Sequence, residues 1–120
     1  LVGQHHDDVE QRKSAAVRCA AEWNVIIVLK GHQTLVTDGT RKDTNTTGNP
    51  GMASGGSGDV LTGAITGMLC QKLAPLAAAR LGVHLHGLAG DLAAAEVGEV
   101  SLIARDLVDF LPAAIQRHHA

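Results

Sequence analysis

Residues able to do chemistry are concentrated in one stretch of this 120-residue chain, Gly48 to Leu61, where five glycines and two serines run directly into an apolar, helix-like period. Glycines let successive backbone N–H groups turn toward one point. The first turn of the following helix adds unpaired N–H donors and partial positive charge, so the segment suits a phosphate or a developing oxyanion. Asp59 follows Gly58 at the start of that helix, placing a carboxylate beside the same anion hole. An acid so placed can take a proton from a substrate hydroxyl while backbone amides stabilise a phosphoryl group in transfer. Composition alone also fits a flexible surface loop capped by Ser57 or Asp59. Two familiar phosphate motifs are excluded by inspection, because neither GxxxxGK[ST] nor GxGxxG occurs in the segment.

The elements on either side must hold this loop. Asp7 to Asn24 carries Val9, Ala16, Val17 and Ala20 at helical spacing, with Asp7, Asp8 and Glu10 where the helix dipole favours acids. Val25 to Leu29 is an unbroken apolar run ended by Lys30-Gly31, the pattern of a strand buried on both faces in a parallel sheet. A second short strand is expected at Thr34 to Thr37, closed by the Asp38-Gly39 turn. Gly39 to Gly58 has no apolar period and is too long for a plain connector. From Asp59 the helical period resumes through Val60, Leu61, Ala64, Ile65, Met68 and Leu69, and Gly63 and Gly67 are expected to permit close packing. Pro75 opens a long helix to Val97, and Ser101 to Gln116 reads as a last helix interrupted near Pro112. The fold class expected is α/β, a mainly parallel sheet flanked by helices, with residues 1–120 forming a single partial domain.

A hydrophobic content of 45% with 18% charged residues supports a packed core, and an aromatic content of 2% leaves that core to Val, Leu, Ile and Ala. A net charge of −2 without a basic run argues against nucleic acid and acidic membranes as partners and favours a small molecule. Apolar runs are too short for a membrane span, and the start has no signal-peptide pattern. Cys19 and Cys70 stand far apart, which fits two reduced thiols in a cytoplasmic protein.

Other polar residues read plainly. Lys30 ends a buried strand, a frequent place for a ligand contact and an equally ordinary place for a solvated lysine. His84 and His86 are two apart on a helix, face different ways, and lack the i, i+4 spacing of a zinc pair, so no residue is assigned as a metal ligand. His5-His6 and His118-His119 lie near the ends and receive no role. Asp91, Glu96, Asp106 and Asp109 read as helix-surface charges. Met52 suits a packing plug as well as a substrate contact.

Asn49-Pro50-Gly51-Met52-Ala53-Ser54-Gly55-Gly56-Ser57-Gly58-Asp59-Val60-Leu61-Thr62-Gly63 closely resembles the signature of the NAD(P)H-hydrate dehydratases. Val28 to Thr34 resembles the same family's strand-turn-strand element. His84, His86, Gly87, Ala89 and Gly90, then Ile103 to Leu107, are similar to its later helices. The resemblance implies a ribokinase-like fold that uses ATP or ADP with a divalent metal such as Mg2+ to remove water from hydrated NADH or NADPH. Carried over by position, Lys30, Gly31, His32, Gln33 and Thr34, with Asn49, Pro50, Gly51, Met52, Ala53, Ser54, Gly55, Gly56, Ser57 and Gly58, would contact the adenine nucleotide. The amides from Gly55 to Gly58, Gly56 and Gly58 among them, would stabilise phosphoryl charge, and Asp59 would meet the hydrated dinucleotide as the base. Members of the family are longer, so the chain is expected to be a C-terminal portion, with an open sheet edge and a tendency to form homo-oligomers. A kinase of the same fold acting on a small alcohol, and a catalytically silent nucleotide-binding portion, are the alternatives.

Overall fold

The computed structural model describes residues 8–119. His5, His6 and Asp7 lie outside them. The first helix, α1 (Val9–Trp23), begins where Asp8 Oδ1 accepts the Glu10 N–H at 2.8 Å and ends where Asn24 turns left-handed, with φ 52°. Its Ala15, Ala16 and Ala20 are buried. These small side chains let the helix lie close to the sheet.

Three short strands follow, β1 (Ile27–Leu29), β2 (Leu35–Thr37) and β3 (Lys42–Thr44). They form an antiparallel meander in chain order, with Val28 opposite Val36 and Val36 opposite Asp43. The parallel pairing expected of Val25 to Leu29 is therefore corrected within the described residues. Its partner is reached through the short Lys30 to Thr34 turn, and a parallel neighbour needs a crossover of about a dozen residues. β3 lies inside the stretch read as aperiodic. Only Asp43 of its three residues is even half-buried, so no apolar alternation marks it. The turn before β3 is built by Asp38, whose Oδ1 accepts the N–H groups of Thr40 and Arg41 at 2.9 and 2.7 Å. Those bonds, the one from Arg41 first, hold the Asp38 carboxyl below the usual range.

After a 3₁₀ turn at Pro50–Met52 come α2 (Ser57–Cys70), α3 (Pro75–Val97) and α4 (Ala104–His119). α3 is the central post, packed by α2, α4 and β2. Val36, Leu61, Ala79 and Val83 join sheet, α2 and α3, while Leu85, Ala89 and Ala114 join α3 to α4. A third cluster, Ala93, Leu102 and Leu107, takes Met52 against it and so ties the loop to the core. The buried apolar residues are all Ala, Val or Leu, as the composition required.

Two further expectations change. α4 runs through Pro112 without interruption. The carbonyl that Pro112 leaves unbonded, that of Val108, lies on a face where Val108 is 51% exposed, so water can satisfy it. Close packing of α2 does not come from Gly63 or Gly67, since a Cβ on either would meet nothing within 4 Å. It comes from Gly82 of α3, where a Cβ would lie 2.7 Å from Ile65 Cγ1.

Candidate functional site

The glycine loop enters α2 through Gly56, whose φ of 91° is open to glycine and strained for other residues. No side chain caps the helix there. Ser57 is the first residue of α2 and its N–H reaches back to Ser54 O at 3.3 Å, while Val60 N–H donates to Gly56 O at 3.1 Å. Among the described residues, no acceptor engages the N–H groups of Gly55, Gly56, Gly58 or Asp59. The first turn of α2 thus keeps free N–H donors at the positive end of the helix dipole, with Asp59 its one acidic side chain. The capping by Ser57 or Asp59 that a plain surface loop would use is not made.

Lys30, delivered by the end of β1, brings its ammonium over the same turn. A Cβ on Gly58 would lie 2.5 Å from Lys30 Nζ. Two elements far apart in sequence therefore converge on one point with one full and one partial positive charge. Next to it opens a cavity of about 790 Å³, within the range of ligand pockets. It is lined by Lys30 to Thr34, by Asn45 to Pro50 with Met52, Ala53, Ser54 and Ser57, and by Leu61, Val83, His86, Gly87 and Glu99. Gly51, Gly55, Gly56, Gly58 and Asp59 are outside this lining. Asp59 is exposed on the first turn of α2, next in sequence to Gly58.

Ser54 Oγ lies buried with no hydrogen-bond partner. Such an orphan is costly unless something polar enters the pocket, which fits a ligand with donors or acceptors. No group of three or more His, Cys, Asp or Glu among the described residues is arranged to hold a metal ion. A divalent cation carried by a phosphate ligand needs only one or two carboxylates and waters, so such an ion would not require a group of that kind.

Sequence reasoning missed what holds the loop from behind. Asp91, read as a surface charge, accepts from Gly48 N–H and from Asn49 Nδ2, each at 3.0 Å. His86 is buried, with Nε2 3.0 Å from Ser57 O and 3.4 Å from Ser57 Oγ. A carbonyl only accepts, so Nε2 carries the proton. Burial pushes the His86 pKa down and outweighs the bond to Ser57 O, with nearby Lys30 adding to the depression. Thr47 Oγ1 donates to His84 O at 2.9 Å. His84 itself faces His118 edge to face, with ring centres 5.4 Å apart. The available signal was a stripe of His86, Gly87, Gly90 and Asp91 on one side of a mostly apolar helix.

Helices packed on a sheet, with a glycine loop feeding an uncapped helix opposite a strand-end lysine, define an α/β domain with a candidate anion site. The chain is similar to a ribokinase-like superfamily protein from Enterococcus faecalis, with TM-score 0.76 and 35% identity over 92% of this chain and 38% of that one. The family model for NAD(P)H-hydrate dehydratase (Carb_kinase) matches residues 1–113, and the chain belongs to that family. It is 50% identical over 105 residues to the bifunctional NAD(P)H-hydrate repair enzyme Nnr of Moorella thermoacetica, covering 86% of this chain and 20% of that protein. To the ADP-dependent (S)-NAD(P)H-hydrate dehydratase of Bacillus subtilis it is 42% identical, covering 86% of this chain and 38% of that protein. The crystal structure of the Bacillus subtilis ADP/ATP-dependent enzyme, co-crystallised with ATP/Mg2+, matches at TM-score 0.84 and 39% identity over 90% of this chain and 39% of that one. The chain thus spans a fifth to two fifths of the length of these proteins.

Proposed function

We propose that the chain is the nucleotide-binding, Asp59-bearing C-terminal portion of an ADP- or ATP-dependent (S)-NAD(P)H-hydrate dehydratase, a hydro-lyase of metabolite repair. The observation that carries this reading is the uncapped first turn of α2, with free N–H groups on Gly55, Gly56, Gly58 and Asp59 and the Lys30 ammonium above it, in a member of this family. Residues Lys30 to Thr34 and Asn49 to Gly58 hold the adenine nucleotide, with Mg2+ arriving on its phosphates.

In the reaction, Asp59 removes the proton from the hydroxyl of the hydrated nicotinamide ring. The oxygen attacks the terminal phosphoryl group, and the bond to the leaving nucleotide breaks. The Gly56 and Gly58 amides take up the charge on the transferring group. Loss of phosphate and of a ring proton then restores the dihydronicotinamide. In-line attack needs the hydroxyl and the phosphoryl group held together, and the sequential placement of Asp59 after Gly58 supports that role.

The remaining part of the relatives' length supplies the rest of the substrate site, in keeping with the exposure of Asp59. Free Cys19 and Cys70 fit a reducing, cytoplasmic setting, and no described helix is long and apolar enough to cross a membrane. A small molecule is the partner, with neither nucleic acid nor a membrane required. Homo-oligomers are expected through β1, whose outer edge pairs with no described strand and whose neighbour Val25 is 44% exposed. Sedimentation tests this last point, and a sharp monomer at all concentrations contradicts it.

The test of the activity is return of dihydronicotinamide absorbance from chemically hydrated NADH or NADPH with Mg2+ and either ATP or ADP. The 120-residue chain is run beside the longest protein encoded in frame with it. Return that depends on one nucleotide supports the reading and names the phosphoryl donor. Absence of return with both, alongside phosphorylation of a simple alcohol, would replace it with a kinase.

A further inference from the structure

α3 carries a stripe that the chemistry above does not use: His86, Gly87, Gly90 and Asp91. Its two polar members reach the two ends of the glycine loop. At the start, the Asp91 carboxylate splits its oxygens, Oδ2 accepting from Gly48 N–H and Oδ1 from Asn49 Nδ2. Asn49 in turn caps the 3₁₀ turn, its Oδ1 accepting from Gly51 N–H at 3.0 Å. At the other end His86, 8% exposed, donates from Nε2 to Ser57 O.

That carbonyl belongs to the same planar peptide unit as the N–H of Gly58. Holding the oxygen on one side fixes the direction of the N–H on the other, and Gly58 N–H is one of the free donors beside Lys30. Gly87 and Gly90 bring the loop down onto the helix, since a Cβ at either would collide with Thr47 or Met52. Five residues of helix separate the two contacts by about 7.5 Å, a rigid spacing.

We propose that His86 and Asp91 are positioning residues that clamp the two ends of the glycine loop onto α3, His86 aiming the Gly58 peptide and Asp91 fixing the Gly48 to Gly51 turn. Their consequence for turnover rests on the dehydratase reading; their effect on the loop does not.

The test is amide hydrogen exchange resolved by residue. His86→Leu speeds exchange at Val60 and Leu61 by about tenfold, the loss expected from one removed hydrogen bond, and leaves Gly48, Gly51 and Met52 within about twofold. Asp91→Ala does the reverse. His86→Gln, whose side-chain amide can donate to the same carbonyl, keeps protection near the wild-type level. Equal acceleration at both ends, no response at either, or a Gln variant that behaves like Leu would overturn the proposal. If His86→Leu loses protection throughout α1 and α4, the Gln variant decides alone by the same criterion. In the longer in-frame protein, His86→Leu lowers kcat about tenfold with little change in nucleotide KM, while Asp91→Ala raises that KM. A wild type without turnover would remove only the dehydratase reading, and the exchange pattern would still decide the clamp.

Discussion

Replacing Gly58 with Ala tests folding and the proposed anion binding separately. Gly58 is the second residue of α2, its φ is not positive, and the only atoms within 4 Å of a new Cβ belong to the Lys30 side chain, Nζ at 2.5 Å and Cε at 3.8 Å. Nζ is the far end of a flexible, exposed chain, so the lysine moves aside at little cost to the fold. Alanine in place of glycine in a helix contributes up to ~1 kcal/mol, so stability holds or rises slightly. The displaced ammonium no longer meets a phosphate over the first turn. A hydrogen bond to a charged group contributes ~1.5–3 kcal/mol, which at ~1.4 kcal/mol per tenfold is a loss of about 10- to 100-fold in nucleotide affinity. Thermal unfolding and titration with Mg-ATP, performed on the same preparation, read the two effects. Affinity within about twofold of wild type would show that Lys30 over Gly58 is not a phosphate contact. A stability loss above ~2 kcal/mol would show that the lysine cannot yield.

Other consequences are equally direct. His86 is buried with its pKa below 6.5, so on acidification the unfolded chain takes the proton first. Its contribution to stability is fully present above pH 6.5 and declines as pH falls from there toward the folded pKa. The unfolding midpoint should fall on going below pH 6.5, and His86→Gln should flatten part of that slope; an identical slope in the variant would rule His86 out as a cause. Gly63→Ala, with nothing within 4 Å of the new Cβ, should stabilise by ~0.5–1 kcal/mol in chemical denaturation. Gly82→Ala should destabilise by ~1–3 kcal/mol, because Ile65 Cγ1 and backbone lie 2.7 to 3.1 Å away. The opposite ranking would contradict the account of α2–α3 packing.

Legibility in the sequence followed the strength of local signals. α3 was bounded at Pro75 and Val97 because proline sets φ at a helix start and Gly98 follows its end. The glycine loop stood out because no apolar period competes with it. β3 was invisible, since Lys42, Asp43 and Thr44 carry no alternation and their pairing depends on the Asp38 turn and β2. Parallel pairing was inferred from an apolar run, whereas strand direction is set by the short turn after Lys30. Asp91 reads as a surface charge and His86 only as a poor zinc ligand, because a polar residue on a mostly apolar helix reveals its partner only after the loop folds back from 29 to 43 residues away. The resemblance located the loop; the helix behind it became readable only in three dimensions.

The central claim is that Asp59, next to the free amides of α2, is the base in nucleotide-dependent dehydration. Asp59→Asn in the longer in-frame protein, assayed for return of dihydronicotinamide absorbance beside a nucleotide titration, tests it most directly. Nucleotide affinity should stay within about twofold while turnover falls by about 10²–10⁴-fold, the range for loss of a general base. Turnover retained by Asp59→Asn would contradict the claim.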